Sequence, residues 1–480
     1  MIYCLNDSIK HCLRCGKCKP ECMTHIPRAN LLYSPRNKIL ASGLLIEAFI
    51  YEEQTRRGVS LSHFDEMNDV ADHCTTCHKC LNPCPVNIDF GDVSIHMRKI
   101  LTDQGQKRSA IAGQAAIFFL NITNPLGINI LRIMMAKLGF MAINIGHRLA
   151  KTFGFLGSKK RIPPVTTDLP KTGVQYVNLV RKPVRAHVPM QSSRALLGLE
   201  DADYVPIIRD PEKRGDEIDS VFYFPGCGSE RLFSQVGMAT MAMLYEAGAR
   251  TILPPGYLCC GYPQTAVGQH EKGQQITTEN RVLFHRLATT LNYLDIKTVL
   301  VSCGTCMDQL LKYEFERIFP DCRLLDIHEY LMEKGIKLTG DSDTQYIYHD
   351  PCHSPMKTYQ PLKVASDLLG KEVIDSARCC GESGTLGTSR PDIAEQLRYR
   401  KSEELRANVE TAKAQGAKGS SAKVLTVCPS CQQGLSRYTD ETGLDTDYIV
   451  IEMANELMGK NWQQDFIDKA QQGGIERVLL

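Results

Sequence analysis

The sequence predicts a mixed fold, α/β plus α, in which an N-terminal α-helical domain precedes two tandem, duplicated α/β domains. Three observations carry this. Two cysteine runs of identical spacing lie at 12–22 and 74–84, the stretch between them has helical periodicity, and the landmarks of the second half recur at offsets of 125, 120 and 125 residues.

Cysteine is the abundant residue that decides the chemistry. The 480 residues hold 20 cysteines, 18 of them in four motifs, and the N-terminus MIYCLNDSIK lacks the layout of a secretory signal. Clustered thiols in a reducing compartment read as metal ligands rather than disulfides. Hydrophobic content is 43% and charged content 23%, as in ordinary globular proteins, and 56 Lys and Arg against 54 Asp and Glu argue against a nucleic-acid partner. The longest uncharged run, between Arg108 and Arg132, is interrupted by NITNPLGIN, so its apolar part is too short to span a bilayer. The expected location is cytoplasmic, with peripheral attachment to the cytoplasmic face of the inner membrane as an option.

Residues 1–108 form the first expected domain. Cys12, Cys15, Cys18 and Cys22 read C-x2-C-x2-C-x3-C, and Cys74, Cys77, Cys80 and Cys84 repeat it before Pro85. This is the two-cluster bacterial ferredoxin pattern, in which the fourth cysteine of each run ligates the other cluster. Three closely spaced thiolates wrap one face of a cubane, and the fourth iron faces away. The expected sets are therefore Cys12, Cys15, Cys18 and Cys84 for one cubane [4Fe–4S] cluster, and Cys74, Cys77, Cys80 and Cys22 for the other. Zinc also uses C-x2-C pairs but does not need this run. Met23 stands where a proline usually follows. The long spacer, including NKILASGLLIEAFIYEEQTRR, resembles the α-helical ferredoxin domain of respiratory iron–sulfur subunits.

Residues 109–155 are expected to be an amphipathic helical segment. From Gly127 to Lys151, Asn129, Arg132, Lys137, Asn144, His147, Arg148 and Lys151 project onto one arc of roughly 160° at 100° per residue. Two readings stay open: a helix packed on the domain before it or on a partner, and peripheral membrane contact through 127–151. Residues 156–218, with GSKKRIPPVTTDLPK and VRKPVRAHVPM, are expected to be an extended linker.

The duplicated units are expected at 219–340 and 341–480. VFYFPGCGSE matches YIYHDPCHSP, YLCCGYPQTAVG matches ARCCGESGTLGT, and TVLVSCGTC matches KVLTVCPSC. In each copy a β-rich run delivers the first cysteine, and another delivers a C-x-x-C at the start of a helix, where free N–H groups favour an anionic cofactor. The glycine after each Cys-Cys pair suits close approach or positive φ. His349 and His353 flank Cys352 and are candidates for hydrogen bonding or a proton relay. The low-complexity AKAQGAKGSSAK, between Cys380 and Cys428, is expected to be a surface loop. Cys4 and Cys322 lie outside the motifs.

Each copy resembles the cysteine-rich CCG domain, named for Cys-Cys-Gly. Paired CCG domains occur in the catalytic subunit of heterodisulfide reductase and in iron–sulfur subunits of glycolate oxidase, lactate-utilisation proteins and anaerobic glycerol-3-phosphate dehydrogenase. The resemblance implies that Cys227, Cys259, Cys260, Cys303 and Cys306 hold one noncubane [4Fe–4S] cluster. It implies the same of Cys352, Cys379, Cys380, Cys428 and Cys431, with a plain cubane or zinc in one repeat still open. CLRCGKCKPEC with THIPRANLLYSPRNKIL also resembles the C-terminal part of bacterial FAD-linked oxidases of D-2-hydroxy acids. No flavin-binding sequence is identifiable here, so FAD would sit on a partner dehydrogenase subunit or a fused domain. The implied function is electron transfer from reduced flavin through the clusters to a membrane quinone or similar acceptor. The alternatives are heterodisulfide-reductase-like thiol–disulfide catalysis and a redox-sensing or scaffolding role.

Overall fold

In the computed structural model the described residues are 2–26, 31–55, 58, 60–108, 110–156, 162–163, 169–185, 188–213, 218–383, 386–415 and 421–480. Parts of the THIPRANLLYSPRNKIL phrase, of both Pro-rich and basic segments in 156–218, of GESGTLGT and of AKAQGAKGSSAK fall outside them.

The first 108 residues are helical where they are described as regular structure. Helices Ile2–Ile9, Pro35–Thr55, Leu61–Asp72 and Phe90–Asp103 bury Leu5, Ile46, Phe49, Met67, Phe90, Met97 and Leu101 against one another. Ser60 and Asp89 cap the third and fourth helices by accepting from the N–H groups of Ser62 and Gly91. The two cysteine loops adopt the same backbone. Arg14 and Thr76 precede the second cysteine of each run with φ of 56° and 50°, and Gly16 and His78 follow it with φ of 79° and 57°. Three of these four are not glycine, so each loop holds a conformation that L side chains seldom take.

The duplication is plain in the sheets. Strands β1 (Tyr204–Ile208), β2 (Ser220–Phe224), β3 (Arg250–Ile252), β4 (Ile296–Val301) and β5 (Arg323–Asp326) belong to the first unit. Strands β6 (Gln345–His349), β7 (Ile374–Asp375), β8 (Ala422–Thr426) and β9 (Asp445–Tyr448) belong to the second. The parallel order β3-β2-β4-β5 in one sheet is repeated as β7-β6-β8-β9 in the other. Two antiparallel strands extend the first sheet, β1 and β10 (Ile475–Leu479), paired from Tyr204↔Leu479 to Ile208↔Ile475.

Two segments thus depart from the expected layout. The stretch 156–218, expected to be extended linker, contains helices Thr172–Val180 and Ser193–Leu197 and strand β1, because Val180, Leu197, Val205, Ile207 and Ile208 are buried apolar residues. Residues 475–479, expected with the second unit, complete the first sheet instead. One core spans both repeats, joining Tyr223 and Leu300 to Tyr348, Leu425 and Tyr448.

The segment expected to be amphipathic is helical from Pro125 to Thr152, with a π-helical turn at Met134–Gly139. Part of its polar arc, at Arg132, Asn144 and His147, faces inward, while Arg148 and Lys151 are exposed. Buried Arg132 donates to the carbonyls of Pro189 and Arg231 and to Ser234 Oγ, Asn144 exchanges hydrogen bonds with the Val184 backbone, and His147 Nδ1 pairs with the Val180 carbonyl. Leu126, Ile130, Met134, Leu138, Met141, Ile145 and Leu149 are left exposed at three- and four-residue intervals. Among the described residues no helix is long and apolar enough to cross a membrane.

Candidate metal centres

The loops of the helical domain gather their thiols across the two runs. Cys12, Cys15, Cys18, Cys80 and Cys84 line one cavity with Pro35, Ile39 and Phe90. Cys22 lies within electrostatic reach of Cys74 and Cys77. Each grouping draws thiols from both runs. The first centre lies near the surface, with Cys15 exposed, whereas Cys74 and Cys80 are buried. Beside the second, Lys38 is 1% exposed and donates to Thr24 Oγ1 and the His73 carbonyl, and Thr24 Oγ1 stands 3.3 Å from Cys22 Sγ. Burial raises the Cys22 thiol's pKa, and the charge of Lys38 opposes that.

In the α/β units the cysteines stand at the carboxyl ends of the parallel strands, where open sheets leave a crevice. Strand β2 leads to Cys227, and β4 leads to Cys303, with Cys306 in the first turn of helix Gly304–Leu310. Strand β6 leads to Cys352, and β8 to Cys428, with Cys431 on helix Pro429–Ser436. Cys259 and Cys260 precede Gly261 at φ 88°, and Cys379 and Cys380 precede Gly381 at φ 81°. A side chain at Gly226 would place Cβ 2.5 Å from Cys306 Sγ, so the loop before Cys227 closes on the thiol set.

The sulfurs of each repeat form a continuous series of interacting neighbours. In the first repeat Cys227 contacts Cys259 at 3.8 Å, Cys259 contacts Cys260, Cys260 contacts Cys306 and Cys306 contacts Cys303. In the second repeat the order is Cys352, Cys379, Cys380, Cys431 and Cys428. Donation from a neighbouring thiol lowers the pKa of Cys259 and Cys379, and lowers that of Cys303 to about 6, while their partners are pushed up. Five sulfurs this close cannot all ionise unless cations stand among them. The donor sets therefore fit iron–sulfur clusters, whose irons are those cations. Cys4 and Cys322 join none of the four groups.

The centres are also linked to one another. The Cys352 thiol contacts Cys77 and lowers its pKa to about 5. The Thr76 carbonyl accepts from His353 Nε2 at 2.8 Å and from Tyr262 Oη at 3.3 Å, and His353 Nδ1 stands 2.5 Å from Asp308 Oδ2. Helical domain and both repeats thus meet at Thr76. A Cβ on Gly304 would fall 1.6 Å from the His353 carbonyl oxygen, and Tyr448 Oη reaches the carbonyls of both Ser302 and Val427, each just before a C-x-x-C. His349 is buried, with Nδ1 2.9 Å from the Ser376 carbonyl, and its burial, with the charge of Lys401, lowers its pKa to about 3.

Sequence reasoning missed the buried cations beside these thiols. Arg231 is 0% exposed and its charge favours the thiolate forms of Cys227 and Cys259; Lys401, also 0% exposed, lies beside Cys379 and Cys380. Neither GSERL nor the charged RYRKSEELR marks its cation as buried, so no local signal was available.

Comparison with known proteins agrees with this geometry. A 4Fe-4S dicluster domain family matches residues 8–88, a cysteine-rich domain family matches 221–311 and 346–436, and a domain of unknown function matches 436–480. The chain is 29% identical over 231 residues to one subunit of the fumarate reductase (CoM/CoB) of Methanothermobacter marburgensis, covering 46% of this chain and 42% of that protein. It thus spans less than half the length of that relative. It is 24% identical over 401 residues to the probable glycolate oxidase iron-sulfur subunit of Bacillus subtilis, covering 78% and 79%. It is 22% identical over 478 residues to one subunit of the dihydromethanophenazine:CoB–CoM heterodisulfide reductase of Methanosarcina barkeri, covering 93% of each. No solved structure matches.

Proposed function

For this iron–sulfur protein, with its dicluster domain and two cysteine-rich domains, we propose a role as the electron-transfer subunit, or portion, of a FAD-linked D-2-hydroxyacid dehydrogenase. The observation that carries it is the contact of Cys77 with Cys352, which joins the helical domain's second centre to the second repeat. Two cubane clusters on the crossed cysteine sets, and two noncubane clusters on the five-cysteine sets, would supply one-electron transfer when bound. The chain's own residues bury these centres, place them in contiguity and surround them with Lys38, Arg231 and Lys401, which favour the anionic state of the sulfur ligands.

The electron donor would be a separate FAD-containing subunit of the D-lactate or glycolate type. Support comes from the glycolate oxidase relative and from the first centre's exposure, where Leu13 stands among exposed Lys10, Arg14 and Lys17. The acceptor would be a membrane quinone. The outward apolar stripe on 125–152 supports peripheral seating on an anionic lipid surface, as does the charge around it: nine Lys and Arg and no Asp or Glu lie between Asp103 and Asp168.

A visible spectrum of the chain, purified anaerobically with its native partners, tests the reading. D-lactate, glycolate or D-2-hydroxyglutarate is expected to bleach the iron–sulfur absorbance. No bleaching despite bound flavin would move the assignment to thiol–disulfide catalysis. That second reading is favoured by the full-length similarity to the heterodisulfide reductase subunit, and turnover of a disulfide without any hydroxy acid would establish it.

A further inference from the structure

We propose that His349 is a nitrogen ligand, through Nε2, to the iron–sulfur cluster of the second repeat, a donor that the first repeat lacks. The proposal rests on the reading that this repeat holds a cluster.

His349 ends β6 and is 1% exposed. Its Nδ1 lies 2.9 Å from the Ser376 carbonyl oxygen, which can only accept, so Nδ1 carries the proton. Lys401 Nζ also approaches Nδ1, at 3.2 Å, but has shorter contacts to the Ser376 carbonyl at 3.0 Å, Ser376 Oγ at 2.7 Å and Glu404 Oε2 at 2.7 Å, which take its three protons. The ring is therefore the tautomer with its lone pair on Nε2. That atom is buried and has no hydrogen-bond partner. A ring nitrogen of His349 and the sulfurs of Cys380 and Cys431 all lie within 4.8 Å of one another. Nδ1 is committed to Ser376, which leaves Nε2 to face the thiols.

An acceptor lone pair offers nothing to a thiolate or sulfide, which are acceptors themselves, but it is what a metal takes. Ligating histidines commonly donate their other N–H to a carbonyl, as His349 does to Ser376. Left without a metal, the buried nitrogen would keep an unsatisfied lone pair at a cost in stability. The repeats differ here: 125 positions earlier β2 ends in Phe224, 0% exposed and packed in an apolar cluster with Cys260, Cys306 and Phe284. The first centre has only sulfur donors at that place.

The test uses the full chain with clusters assembled, its histidines labelled with ¹⁵N, and the second-repeat cluster in a paramagnetic state. Pulsed electron paramagnetic resonance is expected to show a directly coordinated ¹⁵N. His349→Phe, which copies the first repeat, is expected to lose that coupling. If His349→Phe loses the cluster as well, His349→Cys is expected to restore it without the coupling. An occupied second repeat with no coordinated nitrogen, or a coupling that survives in His349→Phe, would overturn the ligand assignment alone. A cluster restored by neither variant also overturns it. Iron and sulfide contents showing an empty second repeat in the parent chain would overturn the cluster reading and this ligand with it.

Discussion

The thiol of Cys77, in the helical domain, lies beside that of Cys352 in the second repeat, close enough for each to shift the other's ionisation. The contact makes the second repeat the immediate neighbour of the inner ferredoxin-type centre. The exposed centre around Cys15 lies at the other end of this helical domain's pair, so the arrangement has an outer and an inner side.

Crossed ligation between the two cysteine runs has a direct test. Cys22→Ser is expected to damage the centre of Cys74, Cys77 and Cys80 while sparing that of Cys12, Cys15 and Cys18. Electron paramagnetic resonance of the reduced protein reads the two centres separately. Loss confined to the Cys12 centre would reject the crossed assignment. In the same assay Cys260→Ser is expected to spoil only the first repeat's cluster.

Gly304 packs directly against the second repeat, and a methyl group there has no room beside the His353 carbonyl. Gly304→Ala is expected to destabilise the protein by roughly 3 kcal/mol, the upper range for overpacking. Gly113 lies inside helix Ile111–Asn121 with nothing near its missing Cβ, so Gly113→Ala is expected to stabilise by about 0.5–1 kcal/mol. Thermal unfolding of both variants checks the pair; equal effects would contradict the packing at Gly304.

Asp447 supplies a pH dependence. Burial raises its carboxyl from the ordinary value of 3.8 to about 7, against opposing hydrogen bonding from the Tyr448 N–H. A raised carboxylate pKa means that the folded state favours the protonated form. Its contribution is full below about pH 4 and is lost as pH rises through about 7. Asp447→Asn stays neutral, so its melting temperature is expected to exceed the parent's by a margin that widens from pH 5 to 7 and then levels off. A margin of about 1–2 kcal/mol is expected at pH 8, reduced from the full shift because the side chain is partly exposed. A margin independent of pH would refute this origin.

The apolar stripe predicts binding to vesicles. The chain is expected to float with anionic phospholipid vesicles and much less with zwitterionic ones, and rising salt should weaken binding. Ile130 and Ile145 are 60% and 47% exposed, so Ile130→Glu with Ile145→Glu is expected to weaken binding at least about tenfold without loss of folding. Unchanged flotation, or a parent chain that dimerises through this face in place of binding lipid, would remove the membrane reading.

Much of the metal chemistry was legible because it is local. The C-x2-C-x2-C runs, the Cys-Cys-Gly pairs and the C-x-x-C helix starts each state their geometry within a dozen residues, and the positive φ of Gly261 and Gly381 follows from the motif. Relations across the chain were not legible. Nothing local to Thr76 announces His353, 277 positions away, and nothing in NKIL marks Lys38 as a buried cation beside Cys22. Periodicity separates polar from apolar positions on the helix at 125–152, but it cannot say which face turns inward. There, backbone carbonyls of Pro189, Arg231 and Val180 compete for its polar side chains and win.

Strand β10 pairs along its whole length with β1, at the edge of the first repeat's sheet. During synthesis the first repeat emerges early, yet that sheet edge stays open until the entire second repeat has left the ribosome, at about 5–20 residues per second. An unpaired edge is a template for wrong pairing. The nascent chain therefore passes through a window of seconds in which its first cysteine-rich unit is exposed to misassembly, and a chain interrupted before residue 475 would never leave that window.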